Sequence, residues 1–386
     1  MSFITNIRSV AKYESKILVR SWFFRIFTLL AVVFLGFFNF AMMLMEDNFG
    51  LWFAKSVSSN IPYLNLLLLN TGQAVVAVFL SSEFLKRDKK LDTSEVFYVR
   101  PLSNAEYVVG KIWGNLRVFL FLNLLVLAIV LAFNFMASGV TVDLPAYLVY
   151  FFLISIPTLI FIIGLSIFLM LLLKNQALTF ILLLGYIGLT LFYIQDKFYY
   201  LFDYMVYNLP LFKSTIVGFS NLELILNHRA IYFFAGLGFI FFTIFLFKRL
   251  PNARRSHYPW LFLSFCMFLL MVTAGFRHVR SILREGEMRA LYTSINNKYV
   301  YEPKMAIDYY DISVEQKSET IRSVVGMEGT ALAASEVFIF CLNPGLRVEE
   351  VKDGEKSLNF KREEQILAVD FGREIEKGDT ISFSVS

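Results

Sequence analysis

Seven apolar runs separated by polar segments divide the sequence up to residue 276. Each run is nearly free of charge and is about 18 or more residues long, which is enough for a helix to cross the hydrocarbon core of a bilayer. The pattern therefore predicts membrane-spanning helices. They are expected at residues 23–45, 62–82, 116–137, 146–173, 177–194, 230–247 and 259–276.

The first 22 residues follow a different pattern, in which apolar residues recur at helical spacing between basic ones. Such a pattern is typical of an amphipathic helix that lies in the membrane interface. We therefore expect residues 1–22 to form an interfacial helix. The apolar run that follows is long and lacks a convincing small-residue cleavage site, so we expect it to be retained rather than removed as a signal peptide.

Composition supports the membrane class. The chain of 386 residues is 57% hydrophobic and 17% charged, with a mean hydropathy of +0.60. Soluble domains are roughly 45–50% apolar and about 25% charged. The two cysteines, Cys266 and Cys341, form neither a disulfide framework nor a metal-binding spacing. The net charge of +5 is modest, and we expect no nucleic-acid partner.

Lys and Arg residues are concentrated in alternate loops. They lie at 8–20, 86–111, 174 and 248–255, whereas loop 46–61 has only Lys55 and loop 138–145 has none. Positive loops stay in the cytoplasm, so we expect a multi-pass protein of the inner (plasma) membrane with a cytoplasmic N-terminus and a periplasmic C-terminal domain. The alternative is that 259–276 does not span, since basic residues follow it, and then the tail would be cytoplasmic.

The predicted spans contain few polar residues. Asn65, Asn70, Gln73 and Asn123 are expected to form hydrogen bonds between helices, and Pro157 is expected to kink the fourth span. No ionisable residue falls near the middle of a predicted span, which argues against a proton-coupled carrier and against a membrane-embedded enzyme.

The loop from Glu83 to Asn115, between the second and third spans, carries the most information about function. Charged residues begin it and Pro101 interrupts it. Ser103 and Glu106 have the spacing of a capping box, which predicts a helix that runs into the third span. The alternative is a solvated basic loop that interfacial aromatic residues anchor.

The residues from Pro101 to Lys111 read P-L-S-N-A-E-Y-V-V-G-K. This stretch resembles the ABC-2 type permease family, whose members typically show P-[LIV]-[ST]-[RN]-x-[ED]-[YF]-[VIL]-x-[GA]-K here. The resemblance covers roughly residues 1–250 and implies six core membrane helices, a dimer with a second copy or a sister permease, and a loop that couples to a separate ABC ATPase subunit. The residues to which it assigns coupling are Glu83, Lys86, Arg87, Pro101, Ser103, Glu106, Tyr107 and Lys111.

The sequence contains no nucleotide-binding motif of its own. Gly110-Lys111 is the nearest approach to a P-loop, but Ala105 and Ile112 stand where a glycine and a magnesium-binding Ser or Thr are needed. We therefore expect no cofactor or metal in this chain and no catalytic activity, with ATP and magnesium bound by the partner subunit.

The tail after Ile307 alternates apolar and polar residues, with turn signals at Asn343-Pro344-Gly345, Asp353-Gly354 and Lys377-Gly378-Asp379. This predicts a small, incomplete antiparallel β domain. The run from Tyr309 onward resembles the start of the N-terminal β-domain of M1-family zinc aminopeptidases. The zinc motif H-E-x-x-H is absent, since none of the three histidines is followed by Glu.

The sequence thus predicts a membrane all-α protein of six core helices plus a seventh, followed by a β domain. The expected divisions are an interfacial helix at 1–22, a permease domain at 23–250, a seventh helix and linker at 251–285 and a partial β-sandwich-like extracytoplasmic domain at 286–386. The outer segment 195–229, with Pro210, resembles the re-entrant helices of the permeases. The alternative functions are a membrane-anchored fragment of an M1-type peptidase and a secondary carrier.

Overall fold

The computed structural model divides into two compact units, residues 1–281 and 282–386. Each unit is described by itself. The structure describes residues 3–44, 57–82, 102–136, 142–194, 196–209, 211, 213, 218–219, 221–247, 258–317 and 320–386.

The first unit is helical, and in the described residues seven segments are long and apolar enough to cross a membrane. They agree in number and order with the seven predicted spans. Helix α1, Phe3–Arg20, precedes them. The seven are α2 (Trp22–Leu44), α3 (Asn60–Ser82), α4 (Asn104–Met136), α5–α6 (Leu144–Tyr150 and Ile156–Leu173 around a π turn at Phe151–Ser155), α7 (Gln176–Leu189, extended by a π turn at Thr190–Ile194), α8 (Leu222–Leu246) and α9 (Tyr258–Lys298).

Three helices extend beyond the predicted spans. The prediction began the third span at 116 and the sixth at 230, but α4 begins at Asn104 and α8 at Leu222. Helix α9 continues to Lys298, through the segment predicted as a linker and into residues 286–298, which were predicted to belong to the β domain. The physical reason is that polar residues can continue a helix past its apolar run, and that for α4 the bonds between Ser103 and Glu106 fix where the helix begins.

Helices α3, α4, α6 and α8 contribute most of the buried residues, whereas α2, α7 and α9 leave most of their apolar side chains exposed. Helices α6 and α8 cross with their backbones in contact. A Cβ atom placed on Gly236 would lie 2.7 Å from the backbone of Ile160 and Phe161, and one on Gly164 would lie 2.7 Å from the carbonyl oxygen of Gly236. Small residues allow this approach between helices.

The predicted interhelical hydrogen bonds are confirmed. Asn123 Nδ2 donates to Gln73 Oε1 at 2.8 Å, and Gln73 Nε2 donates to Asn70 Oδ1 at 2.6 Å, so the pair links α3 to α4. The hydroxyl of Ser155, in the π turn, donates to Asn123 Oδ1 at 2.7 Å. The fourth predicted residue, Asn65, bonds with Asn39 of α2. These amides are fully buried and hold the centre of the helical unit together.

The second unit contains two antiparallel sheets that share one hydrophobic core, which includes Phe338, Val369, Phe371 and Phe383. The antiparallel β prediction for the tail is confirmed. The sheets have the strand orders β1-β2-β8-β4-β5 and β3-β7-β6. The strands are β1 (Met305–Lys317), β2 (Thr320–Ala331), β3 (Ser335–Cys341), β4 (Val351–Asp353), β5 (Lys356–Ser357), β6 (Asn359–Glu363), β7 (Ile366–Ile375) and β8 (Thr380–Val385).

Two predicted turns owe their shape to glycine. Gly354 and Gly378 have φ values of +61° and +97°, a region that glycine enters at little steric cost.

The end of α9 packs against the β strands of the second unit, where Ile295 contacts Ile339 and Ile366 in a smaller hydrophobic cluster. The β domain is therefore continuous with its leading helix.

Candidate functional site

The predicted capping box is present at the start of α4. The backbone N–H of Ser103 donates to Glu106 Oε2 at 2.6 Å, and the N–H of Glu106 donates to Ser103 Oγ at 3.1 Å. These reciprocal bonds satisfy two donors that a helix start leaves unpaired. The prediction of a helix that runs into the third span is confirmed, because α4 is unbroken from Asn104 to Met136.

The start of α4 is tied to two other helices. Asn6 of α1 donates from Nδ2 to Glu106 Oε1 at 2.9 Å. Asn104 Nδ2 donates to the carbonyl oxygen of Phe247, at the end of α8, at 2.6 Å. The Tyr107 ring stacks on the Phe247 ring, with centroids 5.4 Å apart and planes 10° apart. A displacement at this point would therefore act on three helices together.

A buried ion pair lies deeper in the same contact. Lys111 Nζ of α4 is 2.6 Å from Glu14 Oε1 of α1, and their side chains are 3% and 2% exposed. The ammonium group also lies 5.1 Å from the centre of the Tyr107 ring. Removing one partner of such a pair takes that compensation away from the other buried charge, which is costly. The pair therefore holds α1 in one position along α4.

Two glycines let α1 approach α4 closely. A Cβ on Gly110 would lie 2.7 Å from Val10 Cβ, and one on Gly114 would lie 2.9 Å from the carbonyl oxygen of Ala11. Ser15 Oγ donates to the carbonyl oxygen of Gly114 at 2.7 Å. One turn further on, Arg117 donates to Ser15 Oγ at 2.5 Å and to the carbonyl oxygen of Ala11 at 2.9 Å. We call this surface, from Asn6 and Glu106 to Ser15 and Arg117, the α1–α4 contact.

The predicted coupling residues divide into two groups. Glu106, Tyr107 and Lys111 come together in the α1–α4 contact, where they are buried, while Ser103 caps the helix beside them. The other four, Glu83, Lys86, Arg87 and Pro101, lie outside the described residues. Sequence reasoning missed Asn6 and Glu14 as partners. The available signal was the pair Gly110 and Gly114, four residues apart on one helix, which allows another helix to approach closely.

A second polar cluster surrounds Arg229 in α8. Pro157 has no N–H, so the carbonyl oxygen of Leu153 loses its usual helical donor. Arg229 Nε donates to that oxygen at 2.6 Å, and the guanidinium also donates to Thr158 Oγ1 at 2.8 Å and to the carbonyl oxygen of Tyr204 at 3.0 Å. The prediction left Arg229 outside the sixth span. In the structure Arg229 lies in the first third of α8 and is 2% exposed, so a buried ionisable residue belongs to a helix whose predicted span excluded it.

The segment before α8 packs against this cluster. Asp203 accepts backbone N–H bonds from Tyr207 and Asn208 at 2.9 and 2.8 Å. Burial raises the pKa of Asp203 above its usual value, and these bonds, together with the nearby Arg229, oppose the shift. The predicted re-entrant helix falls on the apolar stretch 211–219 of the outer segment, most of which lies outside the described residues.

Two histidines bind a left-handed stretch of this segment. Phe198, Tyr199 and Tyr200 have φ values of 52°, 59° and 62°, which is unfavourable for bulky residues. His228 Nε2 lies 3.0 Å from the carbonyl oxygen of Tyr200, and His278 Nε2 lies 2.8 Å from that of Tyr199. A carbonyl can only accept, so each Nε2 carries the proton.

These side chains can position helices, but they do not form a metal site. In the described part of the chain, no three His, Cys, Asp or Glu side chains lie close enough together to hold an ion.

No protein-family model matches this chain, and no curated protein sequence matches it.

Proposed function

We propose that this chain is an integral protein of the inner membrane and the membrane-spanning subunit of an ATP-driven exporter of the ABC-2 type. A separate ATPase subunit would bind ATP and magnesium, and a second copy or a sister permease would complete the path. The observation that carries the proposal is the capped start of α4 within the stretch from Pro101 to Lys111. The seven long apolar helices support the membrane assignment.

The connections of the α4 start suggest how force would travel. A push on the segment before Leu102 would reach α1 through Glu106, and it would reach α8 through Asn104 and Tyr107. Helix α8 crosses α6 at Gly236, with the backbones in contact. Packed interiors transmit such displacements because they are nearly incompressible. Closure of the ATPase would thereby move the helices around the path.

Burial supports a division of the coupling residues into two roles. Glu106, Tyr107 and Lys111 face α1 and α8 and are less than 8% exposed, so we assign them to positioning α4. The contact with the ATPase then falls to Glu83, Lys86 and Arg87. Charged side chains are suited to a partner whose surface carries the opposite charge.

Charge reversal tests this division. We expect Lys86→Glu with Arg87→Glu to lower the amount of ATPase that co-purifies with the chain. Lys174→Glu is the matched control, because Lys174 is an exposed basic residue on the side predicted to be cytoplasmic and should leave recovery unchanged. Equal recovery from all three proteins would contradict a role of the 83–101 segment in coupling.

One observation favours a secondary carrier as the second candidate. His228, His278 and Arg229 are buried in helices that qualify as membrane spans, and ionisable groups there often serve ion pathways. Backbone carbonyls already occupy Arg229, however, which gives it a structural role. Flux driven by an ion gradient in vesicles that lack any ATPase would favour the carrier.

A further inference from the structure

The β1–β2 hairpin of the second unit carries an exposed apolar face. Strand β1 pairs with β2 along its whole length, whereas β8 covers only Val325–Thr330 of β2. On β1, Tyr310, Ile312 and Val314 point to the same side and are 54%, 59% and 58% exposed. The hairpin therefore extends past the shared core with its apolar side uncovered.

This face continues the core of the domain. Tyr310 lies opposite Met327 and Ile312 lies opposite Val325. Met327 packs against the core, and Val325 lies beside the buried Val385 of β8. The apolar side chains beyond them thus stand on the core-facing side of the sheet. An exposed apolar surface of this kind typically marks a site of association.

The outer edge of β1 is open as well. Within the described residues, β2 is the only strand neighbour of β1, which ends the five-stranded sheet. Natural edge strands are usually protected by charged side chains, especially Lys, by Pro or by a bulge. The bulge in β1 lies between Ile307 and Tyr309, and the stretch from 309 to 315 has neither Pro nor Lys; its charged residues, Asp311 and Glu315, alternate with the apolar side chains. This stretch is therefore suited to accept another strand.

We propose that a second copy of this chain occupies the edge, with the two β1 strands antiparallel and Ile312 opposite its own counterpart. The two five-stranded sheets would then join edge to edge. Tyr310 of each copy would lie opposite Val314 of the other, so all three exposed apolar residues would gain apolar neighbours. A shift by one residue would turn the apolar side of one strand against the polar side of the other.

Charge selects this register among those that match the faces. Pairing centred on Asp311 would place that carboxylate opposite its own copy, and pairing centred on Ser313 would place it opposite Glu315. Like charges directly opposite each other are unfavourable. Pairing centred on Tyr310 would set the apolar residues against the bulge. Only the register centred on Ile312 places Asp311 opposite Ser313 and keeps every apolar pair.

The inference does not depend on the transport proposal, because it uses only contacts within the second unit. It predicts a homodimeric contact through the tail, whether or not an ATPase binds. Loss of ATPase recovery with an intact tail contact would overturn the transport proposal alone.

Disulfide cross-linking of the full-length chain in membranes tests the register. In a background with Cys266→Ala and Cys341→Ser, Ile312→Cys should convert most of the chain to a covalent dimer on mild oxidation, since opposed Cβ atoms lie within about 5.5 Å. Glu315→Cys is the control, because its two copies would be six residues apart, about 20 Å. It should remain monomeric.

A mixed experiment guards against an effect of the substitution at Ile312. Chains with Tyr310→Cys and chains with Val314→Cys carry different tags and are expressed together. Cross-links between the two tags should dominate, because each variant alone leaves its cysteines about 13 Å apart. Absence of the mixed cross-link together with a monomeric Ile312→Cys chain would overturn the proposal. Equal cross-linking at Glu315 would overturn the register.

Discussion

The ion pair between Glu14 and Lys111 gives the sharpest prediction about the α1–α4 contact. Lys111 Nζ and Glu14 Oε1 are 2.6 Å apart, and both side chains are almost fully buried. Breaking a buried pair from one side typically costs about 3–5 kcal/mol, whereas replacing both partners by apolar residues is often neutral. We therefore expect Lys111→Met and Glu14→Met each to loosen α1, and the double variant to restore it.

Cysteine labelling measures the loosening directly. Leu18 lies on the same buried face of α1 as Glu14 and Ser15 and is 5% exposed, so Leu18→Cys should react with a water-soluble maleimide only when α1 lifts. A loss of about 3 kcal/mol corresponds to labelling that is about a hundredfold faster, since about 1.4 kcal/mol equals a factor of ten. Lys12→Cys, at an exposed position, should react equally fast in every variant.

The thermodynamic cycle decides the outcome. Fast labelling in both single variants and slow labelling in the double variant would show that the two charges depend on each other. The reasoning would be refuted if Lys111→Met labelled as slowly as the parent chain. It would also be refuted if the double variant labelled as fast as the single ones.

Three further predictions concern other parts of the chain. Gly236→Ala should lower the thermal midpoint in detergent by an amount equivalent to about 1–3 kcal/mol, whereas Gly188→Ala, with open space around its Cβ position, should not. Arg229→Met should destabilise the helical unit. Adding Pro157→Ala to that variant should restore part of the stability, because alanine supplies the backbone N–H that the carbonyl oxygen of Leu153 lacks. If the second change restores nothing, the role assigned to the arginine is contradicted. Hydrogen bonds from a Tyr hydroxyl and a Lys ammonium lower the pKa of Glu363. The Glu363 carboxylate therefore stabilises the tail fully above pH about 4.3, and this contribution is lost as pH falls through its folded pKa. Glu363→Gln should remove the acid-dependent loss when the melting temperature of the tail is measured over a series of pH values.

The positions of the membrane-type helices were predictable because each has its own apolar run. Several of their ends were not, since α8 begins at Leu222 and α9 ends at Lys298, well beyond the predicted spans. The start of α4 is an exception. Helix α4 begins at Asn104, well before its apolar run, because Ser103 and Glu106 cap it there. The capping box was visible in the sequence because its two residues are only three positions apart.

Partners distant in sequence could not be predicted. Lys111 reads as a solvated basic residue until Glu14, nearly a hundred positions earlier, is placed beside it. Arg229 similarly appears too costly for a helix interior. Its cost is offset by the carbonyl oxygen that Pro157 frees on another helix. Neighbours of this kind are set by tertiary packing, and a single sequence carries no direct signal for them.

The central claim, that this chain is driven by a separate ATPase, is tested most directly by isolating it. The unmodified chain is purified in mild detergent from its native membrane, and the proteins that accompany it are identified and quantified by mass spectrometry. The account predicts an ABC ATPase in stoichiometric amount. Recovery of the chain without any ATPase, under conditions that preserve a known ABC complex, would contradict it.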